Sequence, residues 1–310
     1  MPPIPPAGQP TALLQRLRDG GFVTTVEVHP PRGFSLGRTL NSLTALSRRV
    51  RIDAFNATDV PLAQARMSAV ALSVLLQRHT GIEAILHVAT RNRNVLAIHS
   101  DLIGAHALNV RNVFAFWGDN PAIGDYPRAS SLSDVTSSQL IAALSRLNAG
   151  EEVAGHTLSE PTSFVIGCAL SPNAPNIDDE LASLERKVEA GAHYILTQSV
   201  FDPEPVRRLH DRLGGFPLPV VLGVLPLQSA RHAEFLQANV PGMVIPESTR
   251  ERLRAAGDNA RREGAAIARE LIAELRGIVS GAYVVPSFGR YEIVADVLAN
   301  ENEDEGNVRD

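Results

Sequence analysis

The sequence is poor in cysteine, which limits how the chain can be held together. Cys168 is the only cysteine among 310 residues, so an intrachain disulfide is excluded and a reducing compartment is expected. Cys168 lies within an apolar run, where we expect an inert core residue rather than a reactive thiol. Residues 1–10 are rich in proline and lack the basic and apolar regions of a signal peptide, so we expect a cytoplasmic location.

Long apolar runs and a strong net charge are also lacking. No window approaches the roughly 20 apolar residues of a membrane-spanning helix. A net charge of −5 is too small to favour nucleic acid or a membrane surface as the main partner. We therefore expect neither of these partners, and a monomer or a small homo-oligomer.

Several common cofactor motifs are missing. The sequence contains no GxGxxG fingerprint, no Walker loop and no HExxH zinc motif. The nine histidines are scattered, and none pairs with Cys, Asp or Glu at a recurring ligand spacing. We therefore predict no metal site, and a nicotinamide or flavin cofactor, if used, is not held by a Rossmann fingerprint.

The sequence does contain one pattern eight times, a short apolar run followed by a longer amphipathic stretch. Strands that alternate with helices are typical of a parallel sheet, and eight such units predict a (β/α)8 TIM barrel in a single domain. We place the barrel at residues 16–299, between an N-terminal arm (1–15) and a disordered acidic tail (300–310). The predicted strands are Phe22–Val28, Asp53–Thr58, Ala84–Val88, Asn112–Trp117, Ser163–Ala169, Tyr194–Gln198, Val220–Val224 and Tyr283–Val285.

Two segments are longer than a minimal unit of this barrel. Residues 118–132 predict a long loop after the fourth strand, and long loops on this side of a barrel are often functional. Residues 246–281 carry apolar side chains at helical spacing, which predicts a helix with one buried stripe. The stripe comprises Ile267, Leu271, Leu275 and Ile278.

Glu27 is the first candidate for chemistry, because active sites of this fold lie at the carboxyl ends of the strands. Side chains alternate along a strand, so Val26 and Val28 suit the layer beneath the helices while Glu27 points into the barrel. A carboxyl group removed from water favours its protonated form, and Glu27 could therefore act as an acid. The alternative is a structural carboxylate bonded to a neighbouring strand.

Other polar residues follow strands at the same end. Asp119 could contact a heterocycle or cap a turn, and Gln198 could bind a planar ring or bond to the barrel rim. His87 is either a ligand contact or a satisfied core histidine. Arg91 and Arg93 either hold an anionic group or belong to a solvated loop. The residues alone leave these alternatives open.

Together these segments resemble the methylenetetrahydrofolate reductase family. The most specific matches are the Glu-x-x-Pro-Pro element at residues 27–31 and the Thr-Gln-x-x-Phe-Asp element at residues 197–202. The matches run in family order over roughly residues 20–298. The other matching elements are Thr58, His87 with Thr90, Ser100–Leu108, Gly118-Asp119, Arg186–Ala192, Gly223–Pro226 and Arg290.

The resemblance implies a barrel enzyme that reduces 5,10-methylenetetrahydrofolate to 5-methyltetrahydrofolate. It implies that Glu27 is the general acid, which protonates the leaving nitrogen as the methylene bridge opens. Asp119 would contact the pterin and take part in catalysis with Gln198, which positions the folate, while Arg290 would lie near the folate tail. The residues implied for the nicotinamide site are Thr58, His87, Trp117 and Lys187.

The sequence departs from the family where classical members hold FAD. Trp117 stands where they have an arginine before Gly-Asp, and Ala169 stands where they have a tyrosine at the end of the fifth strand. Glu180 and Ala230 lie near the places of an aspartate and an aromatic residue. Losing the arginine removes a bidentate, charge-assisted contact to the flavin phosphate.

This pattern resembles the flavin-independent, mycobacterial-type branch of the family. The branch implies that NADH gives its hydride directly to the folate and that FAD is absent. NADH rather than NADPH follows from the resemblance alone. The alternatives are a classical FAD-dependent reductase and a non-catalytic, folate-binding barrel.

Overall fold

Eight parallel strands form a closed barrel in which each strand pairs with the next and the eighth pairs with the first. The computed structural model describes residues 4–132, 134–240 and 242–299. The strands are β1 (Val23–Val28), β2 (Ala54–Ala57), β3 (Glu83–Ala89), β4 (Asn112–Phe116), β5 (Val165–Leu170), β6 (Tyr194–Thr197), β7 (Val220–Val224) and β8 (Gly281–Val284). The helices are α1 (Ala12–Arg18), α2 (Gly37–Ser47), α3 (Ala69–Thr80), α4 (Val95–Ala107), α5 (Ser137–Asn148), α6 (Ile177–Glu189), α7 (Glu204–Leu213), α8 (Ala230–Asn239), α9 (Glu247–Ala256), α10 (Ala260–Leu275) and α11 (Glu292–Val297). The predicted (β/α)8 barrel is confirmed.

The predicted strands agree with the observed ones to within two residues at every boundary. Strand β8 begins two residues earlier than predicted, at Gly281. Glycine and alanine have little strand propensity, so the sequence pattern missed this start. The glycine is needed there, because a Cβ on Gly281 would lie 2.4 Å from Cγ2 of Val23 on β1.

The strands separate two apolar layers. Val26 and Val28 belong to the large cluster between the sheet and the helices, whereas Val23 and Tyr283 belong to a cluster inside the barrel. Cys168 is fully buried in the outer layer, and burial raises the pKa of its thiol to about 12. A thiol with such a pKa stays protonated, which confirms an inert core residue.

Helix α1 closes the amino end of the barrel. Leu13 and Leu17 pack with the inward-facing strand residues. Glu83 accepts hydrogen bonds from the N–H groups of Ala12 (2.7 Å) and Leu13 (3.1 Å). A carboxylate at this position satisfies unpaired N–H groups and is stabilised by the helix dipole. The boundary predicted between residues 15 and 16 therefore falls inside a helix that belongs to the barrel core.

The two longer segments behave differently. Residues 118–132 form a loop with one short 3-10 turn at Pro121–Ile123, as predicted. Residues 246–281 contain two helices, α9 and α10, which are separated at Gly257. Most of the predicted stripe lies on α10, where Ile267, Leu271 and Leu275 are buried.

Three expectations concern features outside the barrel core. No helix in the described ranges is long and apolar enough to cross a membrane. In the same residues, no group of three or more His, Cys, Asp or Glu could hold a metal ion. The acidic tail predicted at 300–310 lies outside the described residues.

Candidate active site at the carboxyl end of the barrel

Glu27 lies near the carboxyl end of β1 and faces the inside of the barrel, as alternation along the strand predicts. Its Oε2 accepts a hydrogen bond from the Tyr283 hydroxyl on β8. Its Oε1 lies 3.1 Å from Nε2 of His29, and the Glu27 side chain is 13% exposed. Shielding a carboxylate from water is unfavourable, and the Tyr283 hydroxyl, together with His29 when its ring is protonated, offsets that penalty.

His29 connects Glu27 with the residue that follows β2. Its Nδ1 lies 2.9 Å from Oγ1 of Thr58. Burial lowers the pKa of His29, but the charge and the hydrogen bond of Glu27 raise it, so that the pKa lies above its ordinary value of 6.5. The His29 side chain is still 46% exposed. His29 therefore joins a shielded carboxyl group to solvent.

His87 lies on β3 in a drier environment. It is 5% exposed, and its Nε2 lies 3.1 Å from Oδ1 of Asn56 on β2. The centroids of the His87 and Phe114 rings are 4.8 Å apart. Burial lowers the pKa of His87 to about 4, so the ring is neutral at physiological pH. His87 is thus a satisfied histidine of the barrel interior, and its predicted contact with a nicotinamide stays a prediction.

The four residues predicted for the nicotinamide have different surroundings. Thr58 and His87 lie near Glu27 on the β1–β3 side. Lys187 of α6 is buried, and its Nζ donates to a backbone carbonyl of β5 at 2.8 Å. Trp117 follows β4 and is 37% exposed, and the Arg91 guanidinium carbon lies 5.0 Å from the centroid of its ring.

Arg93 is paired with carboxylates. Its guanidinium contacts Asp59 and donates to Asp101 at 2.9 Å. Asp59 also accepts a hydrogen bond from the N–H of Ala89 at 3.0 Å. Burial raises the pKa of Asp59, and its two partners only partly oppose this effect. Arg93 therefore connects the loop after β3 to the end of β2. Because its guanidinium is already paired with two carboxylates, a role in binding an anionic ligand is disfavoured.

Asp119 joins two loops at the carboxyl end. Its Oδ2 accepts a hydrogen bond from the N–H of Leu62 at 2.7 Å, whereas its own turn is capped by Asn120. Val60, Leu62 and Ala63 all have positive φ angles, of 40°, 56° and 52°. Residues with side chains rarely adopt this left-handed backbone. Asp119 thus stabilises a strained segment of the β2 loop.

Gln198 and Arg290 lie on the β6–β8 side. Gly242 packs so closely against the Gln198 amide that an added Cβ would lie 2.6 Å from Oε1. Arg290 is exposed, and its Nη1 lies 3.4 Å from Oε1 of Gln228. Phe288, two residues before Arg290 in the loop after β8, is 74% exposed. These two of the three residues predicted to bind folate therefore have different surroundings, because Gln198 is closely packed and Arg290 is exposed.

A match over most of the chain decides the family. A sequence model described as methylenetetrahydrofolate reductase matches residues 12–288. The chain belongs to this family.

Curated reductases show the same relationship at low identity. "Methylenetetrahydrofolate reductase 2" of Schizosaccharomyces pombe is 23% identical over 79% of this chain and 39% of its own length. The 5,10-methylenetetrahydrofolate reductase of Escherichia coli K12 is 26% identical over 74% of this chain and 73% of its own length. The chain therefore aligns with well under half of the yeast reductase and about three quarters of the bacterial one.

A solved structure shares the reductase-family fold. It is a protein from Clostridium thermocellum that binds two copies of 5-methyl-5,6,7,8-tetrahydrofolic acid. The two chains superpose with a TM-score of 0.62 at 15% identity, over 95% of this chain and 99% of that chain. At this identity the likeness shows the fold alone.

The sequence of this reductase-family chain did not predict the contacts of His29 and Tyr283 with Glu27. A signal for His29 was present, because it follows Glu27 by two residues and so lies on the same side of an extended chain. Tyr283 pairs in register with Thr25, which shares the inward face with Glu27. Closure of the barrel places β8 beside β1. Which residue of β8 contacts Glu27 depends on the alignment of the two strands, and the sequence does not give that alignment.

Proposed function

We propose that this chain reduces 5,10-methylenetetrahydrofolate to 5-methyltetrahydrofolate with hydride taken directly from NADH. The observation that carries the proposal is the shielded carboxyl group of Glu27, held between Tyr283 and His29 in a member of the reductase family. It lies at the end of the barrel that enzymes of this fold use for catalysis. The reaction consumes one proton and one hydride, and Glu27 is the proton donor.

Glu27 acts in the step that opens the methylene bridge. Its protonated carboxyl group gives the proton to the leaving nitrogen, whose bond to the methylene carbon breaks. The bonding electrons remain on that nitrogen, and the methylene carbon forms an iminium with the other nitrogen. The Tyr283 hydroxyl donates to the carboxylate that is left behind and stabilises its charge. The nicotinamide, when bound, supplies the hydride that turns the iminium carbon into a methyl group.

The residues at the ends of β4 and β5 support chemistry without flavin. Trp117 stands where the resemblance implies an arginine, and the neighbouring Arg91 lies over its ring. Ala169 has no aromatic ring to offer, and its carbonyl holds Lys187. These residues do not fit the charge-assisted fork and aromatic contact of a classical FAD site. The Thr58 hydroxyl, the neutral imidazole of His87 and the ring of Trp117 suit the amide and ring of a nicotinamide.

The folate contacts are proposed from the resemblance together with the surroundings of each residue. Asp119 uses Oδ2 to hold the β2 loop, and we assign its Oδ1 to the pterin. Gln198 has an amide that can both donate to and accept from a planar heterocycle. Arg290 and Phe288 are exposed beside each other, which suits a folate tail that carries an aromatic ring and carboxylates.

The proposal is tested by NADH oxidation with purified, flavin-stripped protein. The assay is run with and without 5,10-methylenetetrahydrofolate, with and without added FAD, and with NADPH in place of NADH. We expect folate-dependent oxidation of NADH at a rate that FAD does not change. Turnover only in the presence of FAD would instead indicate a classical reductase. No turnover under any condition would favour another substrate or a non-catalytic folate-binding barrel.

Glu27→Gln separates chemistry from binding in the same assay. A general acid typically contributes about 10²–10⁴-fold to a rate, so we expect kcat to fall within this range. The amide keeps the shape of the side chain, and NADH affinity, measured by fluorescence titration, should change little. A loss of kcat below about tenfold would contradict the role of Glu27 as the acid.

A further inference from the structure

Each turnover of the proposed reaction removes one proton from Glu27, and this proton must be replaced before the next turnover. We propose that His29 delivers it, taking a proton from solvent and passing it from Nε2 to Oε1 of Glu27. This inference rests on the proposed function, because it gives Glu27 a proton to replace. His29 acts through Glu27 and is a proton-delivery and positioning residue rather than a catalytic one.

Exposure and distance define the route. The Glu27 side chain is 13% exposed, whereas His29 is 46% exposed and lies 3.1 Å away. This separation is within the range of direct proton transfer along a hydrogen bond. Tyr283 is 6% exposed and donates to the other carboxylate oxygen. Tyr283 therefore fixes Oε2 as an acceptor, and Oε1 is left to exchange its proton with the more exposed partner.

Thr58 determines which nitrogen of His29 exchanges the proton. Its Oγ1 lies 2.9 Å from Nδ1 of His29 and 3.5 Å from the Val28 carbonyl oxygen. We assign the hydroxyl proton to the carbonyl contact, so that the lone pairs of Oγ1 accept from Nδ1–H of His29. With Nδ1 protonated, Nε2 is the acceptor in the neutral ring and gains the proton in the imidazolium. The proton then passes from Nε2 to Oε1, and His29 returns to the neutral form that solvent can protonate again.

Burial and the surrounding charges act on the protonation of His29 in opposite directions. Glu27 favours the imidazolium, while burial and the nearby Arg66 disfavour it. Arg66 lies in the loop between β2 and α3, and its guanidinium donates to the Pro30 carbonyl at 3.0 Å. His87 is another ionisable group beside this pair, and it is neutral near pH 7 because burial lowers its pKa to about 4. Tyr291 also lies close enough to be affected by Glu27, and burial raises the pKa of its hydroxyl.

The test compares His29→Gln with wild-type protein and with His99→Gln. Glutamine places an N–H close to the position of Nε2, so it can still bond to Glu27, but it cannot carry a proton. His99 is the matched control, because it forms a similar partly exposed pair with Glu152 (3.9 Å) on the outer face of the barrel. Circular dichroism establishes that the variants are folded. Kinetics are measured at steady state and in a single turnover started from resting enzyme with NADH bound.

We expect His29→Gln to lower kcat by about 10- to 100-fold while the rate of the first turnover stays close to wild type. Added imidazole should raise the kcat of His29→Ala, in which the space of the ring is empty, toward the wild-type value and leave wild type and His99→Gln unchanged. The wild-type kcat should fall as pH rises through the pKa of His29, and His29→Gln should lack this dependence.

Three results would overturn the assignment while leaving the proposed function intact. They are an unchanged kcat in His29→Gln, a first turnover that slows as much as kcat, and a failure of imidazole to restore the rate of His29→Ala. The second result would mean that His29 only positions Glu27. Wild-type protein without folate-dependent NADH oxidation would overturn both the proposed function and the role of His29.

Discussion

Two histidines near Glu27 show how one carboxylate changes the effect of burial. His29 pairs directly with Glu27, and its pKa is raised although burial alone would lower it. His87 pairs with the neutral side chain of Asn56, and burial lowers its pKa to about 4. A shielded imidazole holds a proton only where a nearby negative charge stabilises the cation. The site therefore contains one histidine whose pKa is raised by a carboxylate and one whose pKa is lowered by burial.

His87 should make the stability of the protein depend on pH. The unfolded chain binds a proton at this residue below its ordinary pKa of 6.5, whereas the folded chain binds one only near pH 4. The free energy of unfolding should therefore fall as pH drops through this window, by up to about 3 kcal/mol. His87→Gln should remove this contribution, which urea unfolding between about pH 7.5 and about pH 4.5 would measure. Equal pH dependence in wild type and variant would contradict the prediction.

The direction of Glu27 could be predicted from its sequence, but its partners could not. Alternation along β1 placed its side chain inside the barrel. Tyr283 is 256 residues away in the chain, and only the closed barrel brings its hydroxyl to Oε2. The hydrogen bond from the Leu62 N–H to Asp119 could not be predicted from the sequence either. It depends on a left-handed backbone at residues that are neither glycine nor asparagine. Contacts between distant loops do not leave a pattern in one sequence.

Helix α1 shows how a short element is held by its surroundings. A helix of seven residues is too short to be stable in isolation. Leu13 and Leu17 are buried against the barrel interior. The Glu83 carboxylate accepts hydrogen bonds from the first two N–H groups of the helix. Glu83 also accepts a hydrogen bond from the Asn112 amide at 3.0 Å. The carboxylate thus connects α1 with β3 and β4 at the amino end of the barrel.

We expect Glu83→Gln to destabilise the protein without affecting the distant catalytic end. The amide replaces one acceptor oxygen with a donor and removes the charge that favours the start of α1, so the free energy of unfolding should fall by about 2 kcal/mol. Glu151→Gln is the control, because Glu151 forms an exposed pair with Arg146 (3.7 Å) and should contribute less than about 1 kcal/mol. Urea unfolding measures both losses. Equal losses in the two variants would show that Glu83 does not hold α1.

The elements could be predicted to different degrees. The strands were visible because short apolar runs are bounded by turn residues, as at Val220–Val224, where both ends agree with the prediction. Helix α1 was not recognised, because one or two turns give little periodicity and the preceding residues are rich in proline. The sequence pattern thus reports elements that bury a long apolar face, and it misses short ones that tertiary contacts stabilise.

The barrel as a whole is filled by side chains of unequal size. Tyr194 on β6 is fully buried inside it, and Gly167 pairs with it in register on β5. A Cβ on Gly167 would lie 2.4 Å from the Tyr194 ring. A barrel of this size has just enough interior for its own side chains. The large ring of Tyr194 therefore fits only because Gly167 has no side chain.

Gly167→Ala should therefore overpack the interior. We expect the free energy of unfolding to fall by about 2 kcal/mol, since an added methyl group has no space beside the ring. Tyr194→Leu in the same chain should recover part of this loss, and a double-mutant cycle should show coupling between the two positions. Gly33→Ala is the control, because no atom lies within 4 Å of its added Cβ. Additive effects of the first two substitutions would contradict the shared space.

Closure of the amino end by α1 limits where substrates can enter the barrel and where products can leave it. With that end filled by Leu13 and Leu17, the carboxyl end is the entrance and the exit for every reactant that reaches Glu27. If the proposed function holds, folate, nicotinamide and the proton that arrives through His29 all use the same opening at the carboxyl end. The product that dissociates last therefore blocks the binding of the next substrate. We therefore expect the order of departure to set the inhibition pattern that each product produces.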